Sequence, residues 1–251
     1  MIKIKIADII ELFDVKKKEL KNDITSIIGI VGEDLGAALF EKYYKEILNI
    51  DVIVSKNYSP LSITTNRKGP RLDRWIYVED SKIAYQTEIK NWSAYAIGGR
   101  SISPEDNIKD IALKNWKERI KSIKENKLNR ENKVLCKMKR PDDFPFNKFR
   151  PEPLIIYWMV LSKDGKNLQP FFKVNIKKNG FNKLNVFSMS NYLRYLQSKK
   201  IKELKLHMPD AENRINLLKD CFFLSGVQKK HKKGNYGDYE KYRQRVSKQR
   251  N

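Results

Sequence analysis

The sequence predicts an α/β protein with a central mixed sheet flanked by helices, and three stretches carry that prediction. From Gly32 to Leu48, the apolar positions Leu35, Leu39, Tyr43 and Ile47 recur every four residues, the spacing that lines one face of a helix. Two strand-like runs, Arg71 to Val78 and Lys82 to Asn91, flank Glu79-Asp80-Ser81, whose turn chemistry joins them as an antiparallel hairpin. Leu154 to Leu161 is a continuous apolar run of the length of a buried strand. At 251 residues the chain is long enough to bury a core around such a sheet.

The other elements follow in order. Ile9, Ile10, Phe13 and Leu20 stand among charges, which predicts an amphipathic helix over Ala7 to Leu20. Val52 to Lys56 is short and β-branched and reads as a strand. A polar loop with Pro60, Gly69 and Pro70 leads to the hairpin. Ser103 caps a helix beginning at Pro104, whose buried stripe is Ile108, Ile111, Ala112, Trp116, Ile120 and Ile123. Residues 137–153 hold Pro141, Pro145, Pro151 and Pro153 and are expected to be irregular. Phe171 to Ile176 and Leu184 to Phe187 read as strands around Asn179-Gly180. Tyr192, Leu193, Tyr195 and Leu196 mark a short helix, and Ala211 to Leu224 a longer one. The expected organisation is a core over 1–161, an α+β elaboration of the same domain over 162–227, and a basic tail over 228–251.

Composition narrows the chemistry. Cys136 and Cys221 have no CxxC spacing, so a thiolate zinc site and a structural disulfide are both disfavoured. Only His207 and His231 are available as imidazoles, and His207, before Met208-Pro209, reads as structural or solvated. Any chemistry therefore falls to carboxylates and lysine. The net charge of +22 favours a polyanion, with nucleic acid the leading partner. No apolar run approaches the ~20 residues of a membrane-spanning helix. The N-terminal alternation of lysine with isoleucine lacks the continuous apolar stretch of a signal peptide, so a cytoplasmic protein without a membrane partner is expected.

One constellation stands out. On a strand, side chains alternate between faces. That alternation puts Ala84, Gln86, Glu88 and Lys90 on one side, and Arg71, Asp73, Trp75 and Tyr77 on one side of the preceding strand. Asp73 can thus approach Glu88 across the hairpin, with Lys90 pointing into the same space. Two carboxylates suit a hard divalent cation, and a lysine beside them suits charge developing on a phosphate. The Ile89 carbonyl is a candidate neutral ligand, and Gln86 a candidate to position water or phosphate. A strand-borne surface ion pair is the competing explanation of Glu88 and Lys90.

Gly69-Pro70-Arg71-Leu72-Asp73 followed by Tyr85-Gln86-Thr87-Glu88-Ile89-Lys90-Asn91-Trp92-Ser93, with Ile97-Gly98-Gly99 beyond, resembles the PD-(D/E)XK nuclease superfamily. The likeness is greatest to Mrr-like restriction nucleases and the nuclease-related domain. It covers about half the chain, and Leu72 stands where the literal motif has proline. The resemblance implies a restriction endonuclease-like core, and Mg2+ or Mn2+ held by Asp73 and Glu88. Lys90 would be the catalytic lysine, and Glu33 a further acid from the first core helix. Glu33 alternatively only favours a helix N-terminus through the dipole, and Glu41 is a weaker substitute.

The same resemblance implies cleavage of DNA, with RNA left open, in restriction or anti-phage defence, or else in repair or junction resolution. Cutting both strands favours a homodimer, and the lack of a GxxxxGK[ST] motif assigns any ATP-driven step to a partner ATPase or other defence protein. Candidate nucleic-acid contacts are Trp92 and Arg100 after the motif, Lys139, Arg140, Lys148 and Arg150 in the proline-rich loop, and Lys229, Lys230, Lys232 and Lys233 in the tail. Trp92 is more often a core or rim residue than a base-stacking platform, and the proline-rich loop is equally a merely solvated one. The tail, with Tyr236, Tyr239 and Tyr242, is either a solvated segment, a phosphate-contacting arm or a docked helix. The alternative to an enzyme is a non-catalytic nucleic-acid-binding subunit of a larger complex.

Overall fold

A computed structural model describes residues 1–14, 26–27, 29–31, 33–55, 72–90, 110, 114, 117–118, 121–122, 125, 130–136, 138, 148–158 and 169–222. Along the chain run β1 (Ile2–Lys5), α1 (Ile6–Asp14), α2 (Asp34–Ile47), β2 (Val52–Val54), β3 (Arg74–Val78) and β4 (Ile83–Lys90). A 310 segment (Arg130–Leu135) then precedes β5 (Arg150–Tyr157), β6 (Phe171–Lys178), β7 (Phe181–Ser188), α3 (Met189–Ser198), β8 (Glu203–Leu206) and α4 (Pro209–Phe222). Two compact units divide the chain, Met1–Asn213 and Arg214–Asn251. Of the second, the described part is 214–222, the later turns of α4.

The first unit is α/β, with a six-stranded sheet in the order β2-β3-β4-β5-β7-β6 and a two-stranded sheet of β1 and β8. β2, β3 and β4 form an antiparallel meander. β5 runs parallel to β4, β7 runs parallel to β5, and β6 returns antiparallel at the edge. The stretch expected to elaborate the core after 161 therefore supplies two strands of the central sheet itself. No helix of the described residues is long and apolar enough to cross a membrane.

Strand alternation splits the interior into two layers. Ile76, Val78, Ile83, Tyr85, Ile89, Leu154 and Ile156 face α1, α2, α3 and the β1–β8 pair. Trp75, Tyr77, Ala84, Ile155, Tyr157, Leu184 and Val186 face the other way, onto Val134 and Leu135 of the 310 segment. Phe40 of α2 anchors the first layer, edge-on to both Tyr85 and Phe187.

Several element boundaries differ from expectation. The alternating Ile2-Lys3-Ile4-Lys5 is strand β1, paired antiparallel with β8. The helix expected over Ala7 to Leu20 is observed as Ile6–Asp14, and 15–25 lie outside the described residues. Of the helix expected after Pro104, six residues between Asp110 and Ser122 are described, and each is helical.

The expectation of irregular structure through Pro153 is overturned, because β5 begins at Arg150 and includes Pro151 and Pro153. Proline breaks a sheet by lacking an N–H donor, so the side on which it falls decides the outcome. Arg150 N–H donates to Lys82 O across to β4 at 2.8 Å, which turns the prolines toward β7. Pairing with β7 starts only at Leu154, so no ladder bond is lost. Asn185 Nδ2 instead closes that edge by donating to Pro153 O at 3.0 Å.

β6 and β7 join through Asn179 and Gly180, at φ 51° and 85°, between the paired Lys178 and Phe181. Both positive φ values suit a two-residue hairpin turn. Asn179 Nδ2 also donates to Leu135 O at 2.8 Å, so this turn helps seat the 310 segment. A Cβ at Gly180 would meet nothing within 4 Å, which leaves backbone conformation as the cost of replacing it. Gly180→Ala is expected to lower stability by about 1 kcal/mol in urea denaturation, and Gly180→Asn by less.

Candidate active site

β4 outruns its neighbour at one end. β3 starts at Arg74, opposite Thr87, while β4 continues to Lys90. Asp73, just before β3, covers the shortfall. Its N–H donates to Thr87 O at 3.1 Å, and its Oδ2 accepts from Ile89 N–H at 2.6 Å. Its side chain thus does the work of a missing ladder partner, which fixes the carboxylate beside Glu88. The Ile89 carbonyl lies on the same edge of β4, because Lys90 O faces β5 and accepts from Trp158 N–H.

Glu88 is 1% exposed. Its Oε1 accepts from Lys90 Nζ at 2.5 Å. Its Oε2 lies 2.6 Å from Lys133 Nζ, a second ion pair. Lys133 also stands 3.7 Å from Asp73 Oδ1. Both lysines keep partial access to solvent, with side chains 27% exposed at Lys90 and 20% at Lys133.

Lys133 arrives on the 310 segment, and Gln86 holds that segment down. The Gln86 amide nitrogen donates to Val134 O and to Cys136 O, the latter at 2.8 Å. Gln86 was expected to position water or phosphate. In the structure its amide nitrogen donates to two main-chain carbonyls in the interior.

Behind the site lies a buried guanidinium. Arg74, 4% exposed, donates to Asp34 Oδ1 at 2.9 Å, Asp210 Oδ2 at 3.0 Å, Glu33 Oε2 at 3.2 Å and Asp73 O at 2.9 Å. Asp34 in turn accepts from Ala211 N–H at 2.9 Å, in the first turn of α4. Glu33 occupies the N-cap position of α2 without a side-chain cap bond, and its carboxylate turns to Arg74. Among the described residues no three His, Cys, Asp or Glu side chains are grouped to hold a metal, so Glu33 does not complete a ligand set with Asp73 and Glu88 here.

Burial raises the Glu88 carboxyl to about 7, and the Asp73 charge adds to the rise while Lys90 and Lys133 oppose it. Glu33 is shifted upward by the same two causes, burial first and Asp73 second. Mutual repulsion among oxygen donors is the electrostatic condition a hard cation relieves. Asp73 and Glu88, with the Ile89 carbonyl on the same edge of β4 as the Asp73 contact, are the oxygen donors that could hold such an ion.

Of the remaining candidates, the two described ones lie away from this cluster. Lys148 and Arg150 are exposed at the far end, where Arg150 pairs with Ile83, so roughly 23 Å of β4 separates them from Lys90. Arg150 is bound to Glu152 at 2.6 Å. Trp92, Arg100, Lys139, Arg140, Lys229, Lys230, Lys232 and Lys233 lie outside the described residues. Sequence reasoning missed Lys133, Arg74 and Asp34. Lys133 sits in a charged run without periodicity, and nothing in the sequence marks it. Arg74 left one trace, as a charge at the start of β3 on the same face as the apolar Ile76 and Val78.

Comparison with family models, curated proteins and solved structures returns no match.

Two measurements check this electrostatic arrangement. Arg74→Ala strands the buried Asp34 carboxylate and is expected to cost about 3–5 kcal/mol in chemical denaturation. Glu88 holds its proton more tightly folded than unfolded, where its ordinary value is near 4.5. The folded state therefore loses stability as pH rises from about 4.5 through about 7, and Glu88→Gln is expected to remove that slope. Urea midpoints at pH 5 and pH 8 for the two proteins show whether it does.

Proposed function

We propose that this chain is a metal-dependent nuclease hydrolysing phosphodiester bonds in DNA, with Asp73, Glu88 and Lys90 at its centre. The carrying observation is the convergence of those three side chains at the overrun of β4, with Glu88 buried and pushed up to about 7. Such perturbed groups cluster at functional sites. The net charge of +22 supplies the attraction for a polyanionic substrate. The helix, three-stranded antiparallel meander and parallel fourth strand from α2 to β5 are the order a restriction endonuclease-like core requires, and they support that finer fold reading.

A divalent ion held by Asp73, Glu88 and the Ile89 carbonyl would supply Lewis acidity at the phosphate and a more acidic water. The chain's residues do the rest. The Ile89 N–H fixes Asp73 by one oxygen and leaves Oδ1 directed at the cluster. Lys90 holds Glu88 in place and presents its ammonium at the solvent side, where it orients the attacking water or meets charge on phosphorus. Glu33, tied to Arg74, adds negative potential behind the pair. Two copies would be needed to cut both strands in one event, and restriction or anti-phage defence is the setting this reading implies.

A rival reading has its own observation. Both Glu88 oxygens are ion-paired, as they would be in a structural charge cluster of a nucleic-acid-binding protein without catalysis. The two part on divalent metal. Plasmid and linear DNA are incubated with Mg2+, Mn2+ or EDTA and with wild type, Asp73→Ala, Glu88→Ala or Lys90→Ala. Metal-dependent cutting is expected, falling at least about 100-fold in each folded variant. Variants that cut as fast as wild type would sink the assignment. Salt-sensitive binding with no cutting in any metal would favour the rival.

A further inference from the structure

Lys133 is the charged member of the cluster to which the nuclease reading assigns no task. Its placement is not that of a stray surface lysine. Gln86 grips Val134 O and Cys136 O, Asn179 grips Leu135 O, and the Val134 and Leu135 side chains are fully buried. The backbone beneath Lys133 is therefore fixed from three sides, and only the flexible four-carbon stem is left to move.

The bonding pattern singles out this amine. Glu88 Oε1 belongs to Lys90, and Asp73 Oδ2 belongs to the Ile89 N–H. Among the described residues, the oxygens that remain, Glu88 Oε2 and Asp73 Oδ1, face one group that reaches both, the Lys133 ammonium at 2.6 and 3.7 Å. A cation shared by the two carboxylates through those oxygens would stand against that ammonium, and the repulsion between the two positive charges sets them in competition.

Resting on the nuclease reading, we propose that Lys133 is a positioning residue of the metal site that competes with the divalent cation for Glu88 and Asp73 and transfers its ammonium to the substrate phosphate. Metal and nucleic acid then bind synergistically. The phosphate gives the displaced ammonium a new partner, and by linkage each ligand strengthens the other equally.

The test is Mn2+ binding to the full chain by isothermal titration calorimetry at pH 8, without nucleic acid and with a phosphorothioate duplex that resists cutting. Lys133→Met keeps the stem and removes the charge. It is expected to bind Mn2+ at least about tenfold more tightly than wild type without DNA. The duplex is expected to tighten Mn2+ binding to wild type and to leave Lys133→Met unchanged. Lys90→Met, which frees only Oε1, is expected to tighten binding less. Lys133→Gln retains a donor for Glu88 without the charge, and it takes the place of the methionine variant if that protein does not fold. Equal or weaker binding in the folded variants, with wild-type binding intact, overturns the competitor role and leaves the metal site standing. No Mn2+ binding by any of the proteins overturns both.

Discussion

The Arg74 guanidinium is the interaction on which the rest of the architecture turns. It is buried and donates to three carboxylates and one main-chain carbonyl. Those partners come from the N-terminal end of α2, the entrance to β3 and the start of α4. A buried charge of this kind is costly to form and more costly to break, since losing it leaves Asp34 charged and nearly inaccessible. Its contribution is geometric more than energetic. It ties Asp73, through its carbonyl, to the same point that holds Glu33 and Asp34, so the acids of the site cannot drift apart.

The second constraint is charge balance around Glu88. An almost fully buried carboxylate is untenable alone, and burial is the largest force lifting its proton affinity. Two ammonium groups compensate, yet both keep contact with water while Glu88 does not. The negative charge is thus held in the interior and its neutralisers stand at the surface, where incoming ligands can exchange with them. Keeping the ammonium groups hydrated also lowers the desolvation cost of the cluster.

Much of this was legible in the sequence. The hairpin of β3 and β4 and the shared face of Asp73, Glu88 and Lys90 follow from local alternation, which a sheet enforces within a few residues. The period-four stripe of α2, by contrast, is buried at Leu35 and Leu39 and runs out to an exposed Ile47. Contacts across long separations were not legible. Lys133 meets Glu88 from 45 positions away, and no periodicity reports that distance. The partners of Gln86 are a related case. Its face was read correctly, but what covers that face is a 310 segment with open carbonyls, which only tertiary structure supplies. The prolines of β5 misled because their effect depends on which neighbour is present at each register position. The N-terminal alternation was read only for its lack of a signal peptide, although period two is itself the strand signal.

The site is, in the end, a consequence of unequal strand lengths. Had β3 begun three residues earlier, its main chain would have met Ile89 N–H, and Asp73 would have been one more side chain on a paired strand. Because the ladder stops at Arg74, a carboxylate takes over a backbone hydrogen bond, and one of its oxygens is fixed at 2.6 Å by β4 itself. The other oxygen is then aimed at whatever cation stands between it and Glu88. The same truncation leaves the Ile89 carbonyl on the edge of β4 that faces the entrance to β3. The Asp73 side chain replaces the ladder bond that the shortened strand forgoes, and the Arg74 network directly behind it holds the end of β3 in place.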